Sequence, residues 1–213
     1  METIEAIRTR KSTRAFLPDP IPREIIAQVL NAGRWAPSGN NRQRWHVTVV
    51  GGATCVTLAS RLAERARERM PRTPSSADPP VDDSRCVASL HADLTRIAHD
   101  LGKSYWEFVA VGSNNLYGAP AAVILSHPGR DGGDIAQFVV TMLLAAQALG
   151  LATCWLGYPL ADSDLIRQLL EIPENERISA VVALGYPDPD SPASTYRSPR
   201  DELDAFVRWV GFD

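Results

Sequence analysis

A chain of 213 residues with 45% hydrophobic and 22% charged residues carries enough apolar material for one substantial core, and it reads as a single domain over 1–213. Its net charge of −3 and pI near 5.8 exclude a general attraction to nucleic acid or to anionic membrane. No run is long and apolar enough for a membrane span, and Met1-Glu2-Thr3-Ile4-Glu5 lacks the basic then apolar layout of a signal peptide, so a cytoplasmic location is expected.

In chain order, Thr3 to Thr9 reads as a short helix with Ile4 and Ile7 on one side, and it delivers Arg10-Lys11-Ser12-Thr13-Arg14 at its end. If the backbone there is extended, Arg10, Ser12 and Arg14 project to one side. Two guanidiniums and a hydroxyl suit an anion that needs several hydrogen bonds; the same segment also reads as a solvated basic helix end. Pro22 suits the first turn of a second helix, in which Ile25, Ile26, Val29 and Leu30 form the apolar face up to about Trp35. Pro37 forces Ala36 out of helix, so that helix stops abruptly at Ser38, Gly39, Asn41 and Gln43, a patch of hydroxyl and amide groups.

His46 to Val50 is a β-branched run closed by Gly51-Gly52, which predicts a strand, and the alanine-rich stretch to Arg69 predicts a helix. Met70 to Ser84 holds four prolines and is expected to be a loop, a candidate lid or a plain insertion. A helix from Arg85 to about Leu101 and an aromatic stretch with Tyr105, Trp106, Phe108 and Tyr117 complete a candidate substrate-side insertion around 70–117. Ala121 to Leu125 predicts a buried strand and His127 to Gly133 a turn, with Asp134 as the cap of the next helix. That helix, up to Leu149, is apolar nearly all round, so it must be buried on every side, and Gly150 stops it.

Leu151 to Trp155 is strand-like, a helix with Leu165, Ile166, Leu169 and Leu170 follows a cap at Asp162 or Ser163, and Ser179 to Leu184 is a further strand. The tail brings Arg197 and Arg200 back beside a helix through Leu203, Phe206, Val207 and Val210. Cys55, Cys86 and Cys154 are scattered, as are the four histidines, so neither a disulfide framework nor a metal site is implied. No glycine cradle for a dinucleotide or for ATP follows any strand, and no nucleophile-base pair stands out.

Arg-Lys-Ser-x-Arg followed by Ala-Pro-Ser-Gly-x-Asn-x-Gln-x-Trp resembles the flavin-binding signature of the nitroreductase family, over nearly the whole chain. The resemblance implies an α+β fold, an α/β/α sandwich with a mostly antiparallel central sheet, and a homodimer with FMN at the subunit interface. It places Arg10 and Ser12, with Lys11 between them, near the FMN phosphate and ribityl chain, and Arg14 at the N1 and O2 edge of the ring. Pro37, Ser38, Gly39 and Asn41, with Gln43 beside them, would come from the partner subunit. Leu156 and Gly157 would approach O4 and N5, and Gly185 and Arg200, with Arg197, would form a phosphate clamp. The chemistry implied is hydride transfer from NADH or NADPH to a nitroaromatic or quinone-type small molecule. An oxidase or desaturase of a natural product or peptide, and a flavin-binding protein with little turnover, are the alternatives.

Two departures stand out. Lys11 stands where a second arginine is common, and Arg44 replaces the proline of the usual Gln-Pro-Trp. As an added cation, Arg44 is expected to favour acceptors bearing a carboxylate, in keeping with a likeness of Thr153-Cys154-Trp155 and of Tyr196 to Arg200 to the nitrobenzoate reductase branch.

Overall fold

The structure, a computed structural model, describes residues 1–69, 85–129 and 133–212. The expected loop from Met70 to Ser84 lies outside the described residues. The elements run α1 (Thr3–Thr9), α2 (Arg23–Gly33), β1 (His46–Gly51), α3 (Gly52–Arg69), α4 (Arg85–Asp100), a π-helical turn at Glu107–Val111 and α5 (Gly112–Asn114). They continue with β2 (Ala121–Pro128), α6 (Asp134–Ala148), β3 (Ala152–Leu156), α7 (Ser163–Leu170), β4 (Glu176–Gly185) and α8 (Pro192–Thr195).

The four strands form one sheet in the order β1-β2-β4-β3, every pairing antiparallel. Alternation along the central strands sorts the core into two layers. Ala122, Ile124, Val181 and Ala183 face a cluster with Leu58, Leu62 and Ile166 from α3 and α7. Val123, Leu125, Val182 and Leu184 face Val29, Phe138, Val139 and Met142 from α2 and α6. Both faces of β2 and β4 are therefore covered, which is why those strands read as continuous apolar runs, and the fold is the expected α+β sandwich. A satellite cluster of Leu94, Ile97, Phe108, Val109 and Ala193 ties α4 and the π-helical turn to α8. Of the aromatics there, Phe108 is buried and Tyr105, Trp106 and Tyr117 are half-buried.

Four expectations are corrected. His127 and Pro128 belong to β2, not to a turn, because β4 begins early enough to pair with them, His127 opposite Arg177 and Pro128 opposite Glu176. Asp134 is the first residue of α6, and Gly133, at φ 93°, occupies the cap position. Asp162 precedes α7 without a side-chain capping bond, because its carboxylate is held by Arg69. The tail forms a 3-10 turn at Leu203–Ala205 in place of a helix, and Phe206, Trp209, Val210 and Phe212 stand exposed. A short amphipathic stretch with no surface of its own chain to cover gains too little to close helical turns.

Candidate functional site

α1 ends at Arg10, and the next residues run beside β3: Ser12 bridges Thr153 in parallel fashion, and the Thr13 amide donates to the Thr153 carbonyl at 3.0 Å. Thr13 is buried in this register, while Arg10, Lys11, Ser12 and Arg14 are half-buried. Arg10 and Ser12 line a cavity of about 550 Å3 together with Thr153 and Trp155 of β3, Leu143 of α6 and Arg200 of the tail. The volume is in the range of small-molecule sites.

The electrostatics of this cavity are one-sided. The Arg10 guanidinium is held below its ordinary pKa first by burial and then by the charges of Arg200 and Arg197. Arg10, Arg200 and the Ser12 hydroxyl on the cavity wall, with Arg197 within electrostatic reach of Arg10, form a donor set for an anion with several oxygens. Lys11 is half-buried and does not line the cavity among the described residues.

Arg14 occupies the next position along, where its Nη1 donates to the Ser12 carbonyl at 3.3 Å. It lies within electrostatic reach of the phenols of Tyr105, Tyr117 and Tyr196. Burial raises all three phenol pKa values, and the Arg14 charge pulls each back down. The buried Cys154 thiol is likewise raised by burial, against the opposing charge of Arg14, a hydrogen bond with Ser12 and the charge of Arg10. A buried thiol held neutral in this way is packing, not a nucleophile.

At the end of α2 the chain turns out of helix at Ala36, and Asn40, Asn41 and Gln43 adopt left-handed backbone at φ 53°, 54° and 50°. Local bonds hold this conformation: the Ser38 hydroxyl accepts from the Gln43 amide at 3.1 Å, and the Gln43 side chain donates to Asn41 Oδ1 at 2.9 Å. Pro37, Asn41 and Gln43 line a groove of about 410 Å3 with Arg34 and Trp35. The Trp35 ring is 76% exposed, and the Arg34 guanidinium lies 5.5 Å from its centroid. Arg44 is exposed but does not line this groove among the described residues, so Arg34, which the sequence reading passed over, is the cation at its wall.

β3 closes at the buried Leu156, and Gly157 is exposed with space around it, since an added Cβ would meet nothing within 4 Å. Gly185 differs. It is buried, and an added Cβ would lie 2.8 Å from Pro120 Cδ and 2.9 Å from Phe16 Cδ1, so its place in the structure is one of close packing beside the start of β3, opposite Ala152. Within one subunit, Arg10, Ser12 and Arg200 thus come together, Arg14 and Arg197 stand near them, and Pro37, Asn41 and Gln43 line a separate depression. Sequence reasoning missed Thr153, Trp155 and the α6 wall of the first cavity. The one available signal was the lack of a polar face on α6.

Comparison with known proteins gives a consistent result. The family model described as the Nitroreductase family matches residues 7–186. A 4-nitrobenzoate reductase of Pseudomonas putida is 27% identical over 97% of this chain and 95% of the relative. The nitroreductase NfnB of Mycolicibacterium smegmatis is 31% identical over 95% of this chain and 90% of the relative. Among solved structures, the FMN-dependent nitroreductase NfnB from Mycobacterium smegmatis, in complex with NADPH, superposes with a TM-score of 0.83 at 28% identity and covers 98% of each chain.

Proposed function

Because the chain belongs to the nitroreductase family, we propose that it is an FMN-dependent oxidoreductase that takes hydride from NADH or NADPH and delivers it to a nitroaromatic or quinone-type acceptor. The observation that carries this reading is the convergence of Arg10, Arg200 and Ser12 on one cavity, with Arg197 within electrostatic reach of Arg10. That donor set fits a phosphate monoester, and the extended apolar walls beside it, including Trp155 and Leu143, fit a planar ring system.

FMN, when bound, supplies the hydride-accepting and hydride-donating atom. The chain's own residues bind and orient. Arg10 and Arg200, with Arg197 near them, neutralise the phosphate. Arg14 would stabilise negative charge gained by the bound flavin on reduction. The open backbone at Gly157 leaves room for close approach without a side chain in the way.

The functional unit is a homodimer in this reading, supported by apolar surface that one subunit leaves uncovered. Val140 of α6 is 49% exposed and lines one cavity with the exposed Ile7 and Trp155, and Ile4 and the aromatic tail are exposed as well. The dimer would bring the Pro37 to Asn41 strip of one subunit to the Arg10 cavity of the other. The cluster of α4 and Tyr105 to Tyr117 would wall the substrate side. No helix among the described residues is long and apolar enough to cross a membrane.

The test is anaerobic mixing of the purified protein with FMN and then with NADH or NADPH. The expected result is a yellow dimer by sedimentation, bleached by one of the nicotinamides on the order of a second or faster, and recoloured by a nitroaromatic or quinone. Reduction only by a peptide or natural-product donor, with oxygen as the reoxidant, would replace this reading by that of a desaturase. A protein that takes up no FMN would end it.

A further inference from the structure

We infer that Asp134 is a positioning residue for the flavin bound in the partner subunit, an inference that rests on the dimeric, FMN-binding reading above. Asp134 is 9% exposed, and its Oδ1 accepts the Gly39 amide at 3.0 Å, a contact between residues far apart in sequence. Among the described residues, the other side-chain bonds to the Ser38 to Gln43 backbone come from within that segment. They can preserve its shape but cannot place it on the protein.

Its placement comes from α6. Asp134 and Phe138 are four residues apart, so they lie on one face of the helix. Asp134 takes the Gly39 amide, while the Phe138 ring lies 5.1 Å from that of Trp45 and fills the space beside Gly33, where an added Cβ would be 2.8 Å from Phe138 Cζ. The strip is thus gripped near both ends by consecutive turns of one helix. Asn40 and Asn41, in left-handed backbone, lie between the two grips. A carboxylate at the first turn of a helix is stabilised by the helix dipole, and its bond to an amide is charge-assisted.

Further along, Val140, Leu143 and Leu144 of the same helix wall the Arg10 cavity of their own subunit. α6 therefore serves two sites: its middle faces the flavin of its own chain, and its first turn sets the strip that the partner's flavin meets. The contribution of Asp134 is made across the dimer.

Trans action has a signature that a merely structural role lacks. Asp134→Ala and Arg10→Ala subunits, bearing different tags, are co-expressed in full length, and the mixed dimer is isolated by tandem affinity. Each homodimer is expected to bind FMN about tenfold or more weakly than wild type, the scale of one lost charge-assisted hydrogen bond. In the mixed dimer, the cavity of the Asp134→Ala subunit meets the intact strip of the Arg10→Ala subunit, so one of the two sites regains wild-type affinity while the other carries both defects. Titration showing no restored site would overturn the inference, because Asp134 would then act within its own subunit. Wild-type affinity in the Arg10→Ala homodimer would instead overturn the flavin assignment beneath it.

Gly39→Pro is the second variant, for use if Asp134→Ala is poorly soluble. It removes the donor N–H, and because the ring carbon takes the place of that hydrogen it also displaces the Asp134 carboxylate, at a position whose preceding residue, Ser38, is already extended at φ −143° and ψ 150°, as a residue before proline must be. The same restoration is expected when it is paired with Arg10→Ala, and absence of restoration would count equally against the inference.

Discussion

The Arg69 guanidinium grips the carboxylate of Asp162 with two parallel hydrogen bonds, Nη1 to Oδ1 and Nη2 to Oδ2, each at 2.6 Å. The acid's side chain is 3% exposed, and Arg65 stands 3.6 Å from the same oxygen while bonding Asp164 at 2.8 Å. This fork joins the end of α3 to the turn that starts just after Gly157. Arg69→Ala is expected to lower unfolding free energy by about 1–3 kcal/mol, the cost of a buried acceptor deprived of a charged donor. Arg65 covers part of that loss, so the Arg65→Ala, Arg69→Ala double variant should lose more than the sum of the singles, a coupling that urea titration of all three proteins will show.

Glu176 provides a pH-dependent element at the other end of the sheet. Burial raises its carboxyl pKa, but hydrogen bonds from Ser126 at 2.6 Å and His46 at 2.6 Å, with the charges of His46 and Arg167, outweigh burial and leave it lowered. A carboxyl with a lower pKa in the folded than in the unfolded state stabilises the fold fully above the unfolded value, near 4.5, and that contribution is lost as pH falls through the folded value. Glu176→Gln should therefore be less stable than wild type at pH 7, and the difference should shrink below about pH 4.5. Parallel melts across that range measure it; a gap that widens on acidification would reverse the sign.

Arg10 and Arg14, separated by the buried Thr13 and the bridge of Ser12 to Thr153, are expected to fail differently when removed. Arg10→Ala should weaken FMN binding roughly ten- to a hundredfold with little effect on the potential of what binds. Arg14→Ala should retain more of the affinity but make the bound flavin harder to reduce, since its charge no longer opposes the negative charge gained. Fluorescence titration and spectroelectrochemistry separate the two. Equal affinity losses with unchanged potentials would show the roles to be misassigned.

For acceptor choice, the groove containing Trp35 and Arg34 directs attention away from Arg44. Arg34→Ala is expected to lower kcat/KM for 4-nitrobenzoate relative to neutral nitrobenzene by several-fold, on the order of one partly exposed charge contact. Arg44→Pro should change that ratio less. Steady-state comparison of both acceptors with both variants decides between the cations.

What could be read from the chain and what could not divide along the range of the interactions involved. Strand periodicity, the proline and glycine stops at Pro37, Gly52 and Gly150, and the arginine and hydroxyl side chains of Arg10 to Arg14 are local signals, and the elements and half of the cavity followed from them. α6 reads as apolar nearly all round, which predicts burial on every side, yet its Val140 is 49% exposed, on a face that the rest of the chain leaves uncovered. The roles of Asp134 and Asp162 were misread for the opposite reason. Asp162 stands at the cap position of α7, yet the Arg69 guanidinium brought in by folding takes both its oxygens, whereas Asp134 falls one residue inside α6, after Gly133, and accepts the distant Gly39 amide. His127 and Pro128 were drawn into β2 by pairing with the early residues of β4, a ladder that no turn propensity encodes. Thr153, Trp155 and Arg200 joined Arg10 only because the chain laid β3 beside Ser12 and returned its tail, since a cavity is made of walls distant in sequence and each wall alone resembles ordinary surface.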